Sequence, residues 1–314
     1  MKQFRVHIAV VLVVLATFVT VVLLNARISR GQSQSLKSST SGSQSRVKPN
    51  SMVRDAEERS DSGRPSAAFA PVVARNQLLR NELSWAFGGK QQRGWYLYTA
   101  LIGRLLGTEH HAGSEPFAAA LMRWQEKSGL RASGVLDEES LYAMVSEWQG
   151  RRLKDRSYPP SDQLVTVPVS DFYDPARLDE LRQVEKQTYA AYKRMVAAAM
   201  ADRSLGLARD TGGGLAPTEK YLKIISSFRT REYQDRLRRE SPHAGRAGLA
   251  VNSPHFSGRA LDLYVGGEPV ETKDSNRAVQ VQTRVYQWLV RNAESFGFRP
   301  YYYEPWHWEY VGVR

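Results

Sequence analysis

The sequence predicts an α+β protein in which an N-terminal apolar helix and a three-helix unit precede a mixed C-terminal region. Three observations carry that reading. Apolar residues recur at helical spacing between residues 95 and 144, and short β-branched runs alternate with helical ones beyond residue 160. A polar, Ser-rich stretch separates both from a long apolar segment near the N-terminus. With 314 residues, 42% hydrophobic and 24% charged, the chain is long enough for two modest domains and for burying a real core. This composition excludes collagen-like repeats, a disulfide-stapled miniprotein and global disorder. Cysteine is absent, which removes disulfides, thiol nucleophiles, iron–sulfur clusters and Cys-type zinc sites.

Residues 6–26 form a run without a formal charge when His7 is neutral. A bilayer core needs about 20 apolar residues in helix, so this run is long enough to span. It exceeds the h-region of a cleavable signal peptide, and Leu24-Asn25-Ala26 is a poor cleavage site, so an uncleaved transmembrane anchor is expected. Lys2 and Arg5 before it nearly balance Arg27 and Arg30 after it, and flanking charge does not set its orientation. Residues 27–75 are rich in Ser, Gln, Gly and charge and lack an apolar period, so a flexible tether is expected there.

Residues 76–150 read as a helical unit. Trp95, Leu97, Leu101 and Leu105 share helical spacing ahead of Gly107. Phe117, Leu121 and Trp124 mark a second helix, Gly129 and Gly134 a turn, and Asp137 the N-cap of a third. Residues 151–314 read as the α+β region. Asp174-Pro175 is expected to open a long helix with Leu178, Leu181, Tyr192, Met195 and Val196 inward. YLKIISSF, residues 260–265 and residues 307–311 are the expected strands. One helix carrying Val281, Val285, Trp288 and Leu289 should end near Gly297.

The formal charge is +12, which invites a nucleic-acid reading. Residues 1–75 hold 11 Lys and Arg against 4 Asp and Glu, so more than half of the excess lies in the expected anchor and tether. With no basic helix and no array of stacking aromatics, no nucleic-acid partner is expected.

Six histidines are present, and two keep unusual company. His255 and Asp262 stand seven positions apart, too far for one site in an extended chain. Ser257-Gly258 between them allows the chain to fold back. Asp262 then falls in an apolar strand, where an unpaired carboxylate is costly and a metal would relieve the cost. Glu304 precedes His307 by three, with Pro305 expected to hold the intervening chain extended. Two His and one Asp make a three-ligand set with a position left for water, as in catalytic zinc sites. Zinc lowers the pKa of such a water to about 7, and Glu304 is placed to accept its proton.

The joint pattern of Ser253, His255, Gly258, Ala260 and Asp262, followed by Glu304, Trp306 and His307, resembles the LAS metallopeptidases. It is closest to their D-alanyl-D-alanine carboxypeptidase branch of the VanY type. IISSFRTREYQ adds a third matching segment, and the resemblance spans about residues 160–314. One departure is Ser227-Phe228, where the family has Gly-Tyr before the Arg. The order of Phe117, Gln125, Gly129-Leu130, Gly134, Asp137 and Leu141 resembles a small peptidoglycan-binding domain.

The resemblance implies a small antiparallel sheet with flanking helices carrying a zinc site, as in hedgehog and D-Ala-D-Ala peptidases. One Zn2+ per chain would be held by His255, Asp262 and His307, with Glu304 as general base. Arg229 would stabilise the oxyanion, Arg231 being the near competitor for that role, and Ser253, Gln234 and Trp306 would contact the substrate. The implied enzyme is a zinc carboxypeptidase that hydrolyses the terminal D-Ala-D-Ala bond of peptidoglycan stem peptides. It would sit on the bacterial cytoplasmic membrane by one span, with residues 1–5 inside and the catalytic domain facing the periplasm or wall. The alternatives are an endopeptidase cutting within the stem or cross-bridge, and a non-catalytic wall-binding protein.

Overall fold

The computed structural model describes residues 65–241 and 249–313. The expected membrane anchor and most of the expected tether lie outside the described residues. Among those described, no helix is long and apolar enough to cross a membrane.

The helical unit starts with α1 (Ala70–Glu82), inside the stretch read as tether. Pro71 suits its first turn, and Val73 and Leu79 are buried. A hairpin of β1 (Ser84–Phe87) and β2 (Lys90–Arg93), unanticipated in the sequence, precedes α2 (Thr99–Leu106). Gly107 closes α2 in the left-handed conformation at φ 66°. Helices α3 (Glu115–Lys127) and α4 (Glu138–Gly150) are capped by Ser114 and Asp137 side chains that accept from Phe117 N and Ser140 N.

The turn between α3 and α4 is held by two buried amides. Gln125 Nε2 donates to Ser140 Oγ at 2.8 Å, and its Oε1 accepts from Gly134 N at 2.9 Å. Asn76 grips the same turn through Gly134 O and Leu136 N, both at 2.8 Å. Such paired bonds make a buried amide tolerable.

The α+β region carries small antiparallel sheets. β3 (Leu164–Thr166) pairs with β4 (Gln183–Glu185). A four-stranded antiparallel sheet follows in the order β5 (Ile224–Ser226), β6 (Ala260–Leu263), β8 (His307–Tyr310), β7 (Phe298–Pro300). α6 (Arg231–Glu240) leaves the end of β5.

Three local expectations are corrected. Asp174-Pro175 opens no helix: Asp174 Oδ1 accepts from Ala176 N at 2.9 Å in a turn, and Leu178 is 58% exposed. The long helix is α5 (Lys186–Ala201), capped by Glu185. Pairing of β4 with β3 occupies the preceding residues, and the inward row begins only with Thr188, Ala191, Tyr192, Met195 and Val196. The helix expected through 281–289 is two, α7 (Asp274–Gln282) and α8 (Arg284–Asn292). Thr283 separates them, because its hydroxyl donates to Val265 O at 2.8 Å and caps Tyr286 N. Pro305 does not extend the chain either. His307 N donates to Glu304 O at 2.9 Å, closing a four-residue turn.

Residues 62–314 form one compact unit, so the helical part and the sheet share a core. Phe87 meets Tyr302 and Tyr303, Trp148 packs on Tyr302, and buried Arg277 donates to Tyr303 O at 3.1 Å with Tyr98 Oη at 3.4 Å.

Candidate metal centre

Strand register brings the distant motifs together. Asp262 pairs with Ser226 on one side and with His307 on the other. Side chains alternate along a strand, so Asp262, Ser226, His307 and Glu309 share one face while Leu261 and Trp308 point to the other. His255 reaches that face through a 3-10 turn (Pro254–Ser257) that Gly258 ends at φ 68°. A Cβ at Gly258 would stand 3.0 Å from both Glu185 N and Leu164 Cδ2, so glycine is needed for the backbone and for the close approach.

His255, Asp262 and His307 each offer a ligand atom, all within 4.8 Å of one another, and all three residues are buried. His255 Nε2 lies 3.3 Å and His307 Nδ1 2.9 Å from Asp262 Oδ1. The outer nitrogens are already engaged. His255 Nδ1 donates to Ser227 O at 2.7 Å, and His307 Nε2 lies 3.2 Å from Glu309 Oε1. Each ring thereby turns its other nitrogen toward the same point, as metal-ligating histidines do. This donor set fits a divalent cation.

The electrostatics of the metal-free cluster follow from burial and pairing. Burial and the nearby Arg229 charge lower His255 to about 4. Burial alone would also lower His307, but hydrogen bonds to Asp262 and Glu309, with their charges, lift it to about 9. Burial opposes ionisation of Asp262, yet both histidines and Arg229 hold it well below the usual carboxylate range. Glu304 is raised to about 8 by burial, with Asp262 adding to the effect and His307 opposing it. Its Oε2 is 4.0 Å from His307 Nδ1, a closeness set by the turn at Pro305.

Arg229, not Arg231, reaches the cluster. Its Nη2 donates to Asp262 Oδ2 at 2.6 Å and its Nε to Ser226 Oγ at 2.9 Å. The Arg231 guanidinium lies over the Phe256 ring instead. Gln234 is 1% exposed, and its amide is occupied by Arg229 Nη1 at 3.2 Å and Ala250 O at 3.0 Å. It therefore supports the arginine rather than facing a ligand. Ser253 caps the 3-10 turn through His255 N and, like Trp306, lines a cleft of about 490 Å³ that holds the cluster. Phe87 and Gln149 of the helical unit line the same cleft, together with Arg156 and Arg177. Sequence reading missed Glu309, whose only signal was its place two residues beyond His307 on the same strand face.

Residues 181–313 match the family model VanY, described as D-alanyl-D-alanine carboxypeptidase. No curated protein matches the chain. A solved structure described as that of the LdcB LD-carboxypeptidase, revealing the molecular basis of peptidoglycan recognition, is 24% identical. It covers 51% of this chain and 72% of that one at a TM-score of 0.35. Over residues 181–313 this chain is similar to the VanY family.

Proposed function

We propose that this chain is a zinc-dependent carboxypeptidase that hydrolyses the terminal D-Ala-D-Ala amide of peptidoglycan stem peptides. One observation carries the reading: within a region similar to the VanY family, His255, Asp262 and His307 converge in a cleft that also presents Glu304 and Arg229. His255 Nε2, Asp262 Oδ1 and His307 Nδ1 are the atoms that would hold one Zn2+. A bound cation of this kind supplies Lewis acidity and a water that ionises near neutral pH.

The remaining work falls to the chain's own groups. Glu304 holds and transfers the proton at its carboxylate, first accepting it from the attacking water and then passing it to the leaving amine. Its carboxyl is raised in the metal-free protein and would ionise more readily beside a divalent cation. Arg229 is fixed by Ser226, Gln234 and Asp262 and presents positive charge beside the cluster, where an oxyanion would develop. Trp306 walls the cleft. Residues 6–26 would anchor the protein in the cytoplasmic membrane, with the peptidase outside.

The deciding experiment is incubation of the protein with a pentapeptide stem and with its C-terminally amidated form. Cleavage of the free acid alone, with D-alanine released, is the expected outcome. Equal cleavage of both, or a cut elsewhere in the stem, would favour an endopeptidase. Metal binding without turnover of either peptide would favour a wall-binding protein.

A further inference from the structure

Glu309 is 0% exposed, and donors from outside the region similar to the VanY family close around its carboxylate. Arg152 Nε donates to Oε1 at 3.0 Å, and Leu153 N donates to Oε2 at 2.8 Å. Both donors lie just past α4, where the chain leaves the helical unit. The same Oε1 lies 3.2 Å from His307 Nε2. Arg152 also stands over the Tyr301 ring, 3.9 Å from its centroid, and Tyr301 meets His307 edge to face at 5.8 Å. Gln149 Oε1, at the end of α4, accepts from Arg152 Nη1 at 3.1 Å. One side chain from the helical seam thus braces His307 twice, through a carboxylate and through an aromatic ring.

A carboxylate at the outer nitrogen of a ligating histidine fixes the ring's tautomer and orientation and makes the inner nitrogen a better donor. Such a carboxylate is stable in a dry interior only with its own partners, which here are Arg152 and the Leu153 amide. Resting on the metallopeptidase reading above, we infer that Glu309 is a positioning residue for His307. Arg152 anchors Glu309, so that seating of the helical unit on the sheet sets the metal affinity of the peptidase. The competing account is a plain ion pair that fastens the two parts of the fold, which would alter stability but leave metal affinity alone.

The test uses the full chain, stripped by chelation, with Zn2+ titrated against a chromophoric chelator and Co2+ used for its visible spectrum. Glu309→Gln should keep the fold by circular dichroism, raise the apparent zinc Kd about 10–100-fold and change the Co2+ spectrum. Arg152→Gln should shift the Kd in the same direction by less, since Leu153 N still holds the carboxylate. Arg151→Gln, on the exposed side of the same turn, should leave affinity unchanged. A folded Glu309→Gln variant with wild-type zinc Kd and Co2+ spectrum overturns the inference. Should that variant fail to fold, Arg152→Gln decides alone, and an unchanged Kd overturns it. An equal loss in Arg151→Gln would reduce the effect to general charge and also overturn it. If the wild-type chain binds no zinc at all, the metallopeptidase reading fails instead, a result distinct from all of these.

Discussion

Asp262 and His307 face each other directly across two antiparallel strands, and their side chains meet with Oδ1 2.9 Å from Nδ1. Cross-strand partners have Cβ atoms about 4.5–5.5 Å apart, close enough for a shared metal or a shared proton. In the metal-free protein that closeness favours the protonated form of His307.

Zinc must displace that proton from His307, whose metal-free value is about 9. Apparent zinc affinity should therefore rise about tenfold per pH unit from pH 6 to 8 and level off above about 9. The stability of the metal-free protein should run the other way. His307 is raised on folding, so its contribution is complete below about 6.5 and is lost as pH rises through about 9. Glu304, raised to about 8, adds to the same decline. Thermal melts of chelated protein at pH 6.5 and 9, beside zinc titrations at matching pH, provide the check. A flat affinity profile, or a chelated protein that melts higher at pH 9, would contradict the assignment.

Ligands and base should separate under mutation. His255→Ala and Asp262→Ala should lower bound zinc below one per chain. Glu304→Ala should keep zinc near the wild-type level and lose turnover by about 10²–10⁴-fold, the usual contribution of general acid–base groups. Metal analysis of the purified variants, paired with D-alanine release, tests this. Loss of metal from Glu304→Ala would make it a ligand instead.

Arg229→Ala should reduce kcat by about 10²–10³-fold, the range seen when an oxyanion donor is removed. Gln234→Ala should produce a smaller loss, because Gln234 acts only on the arginine's position. Arg231→Ala should stay near wild type, its guanidinium lying over Phe256. A larger effect at Arg231 than at Arg229 in steady-state kinetics would reverse the assignment.

Gly258→Ala should destabilise the fold by about 1–3 kcal/mol, the usual cost of a non-glycine residue held at such a φ. The approach of Glu185 N to 3.0 Å leaves no room to relax. For a unit of this size each kcal/mol lowers Tm by about 2–4 °C, so calorimetry resolves it. A Tm within one degree of wild type would refute the steric argument.

An alkaline phosphatase fusion after residue 75 should be active in cells if residues 6–26 anchor an exported peptidase. An inactive fusion beside an active cytoplasmic reporter at the same point would place the domain inside.

Several features were legible before any coordinates. His255, Asp262, Glu304 and His307 could be singled out because their joint pattern resembles the LAS metallopeptidases, and because an unpaired Asp262 carboxylate would be costly in an apolar strand. Ser257-Gly258 announced the fold-back between two of them, since glycine alone takes a left-handed turn cheaply. Helix ends at Gly107 and Asp137 followed from local capping chemistry, which needs no tertiary information. Other features depended on partners far along the chain. The false helix start at Asp174-Pro175 obeyed local rules and lost to the pairing of β4 with β3. Pro305 suggested extended chain, but the hydrogen bond from His307 to Glu304 made a turn of it. Gln234 had the character of a substrate contact until the fold placed Arg229 against it.

By itself, then, the amino-acid order pointed to the α+β class, to His255, Asp262 and His307 as candidate metal ligands and to the glycine between two of them, because these depend on side-chain chemistry and local backbone freedom. The tertiary structure alone decided which arginine faces the cluster and that Glu309 braces His307. It also decided that Arg152, 157 positions before Glu309, supplies the balancing charge. Those choices rest on strand register and on the docking of two parts of the chain, and no local pattern encodes a contact of that separation.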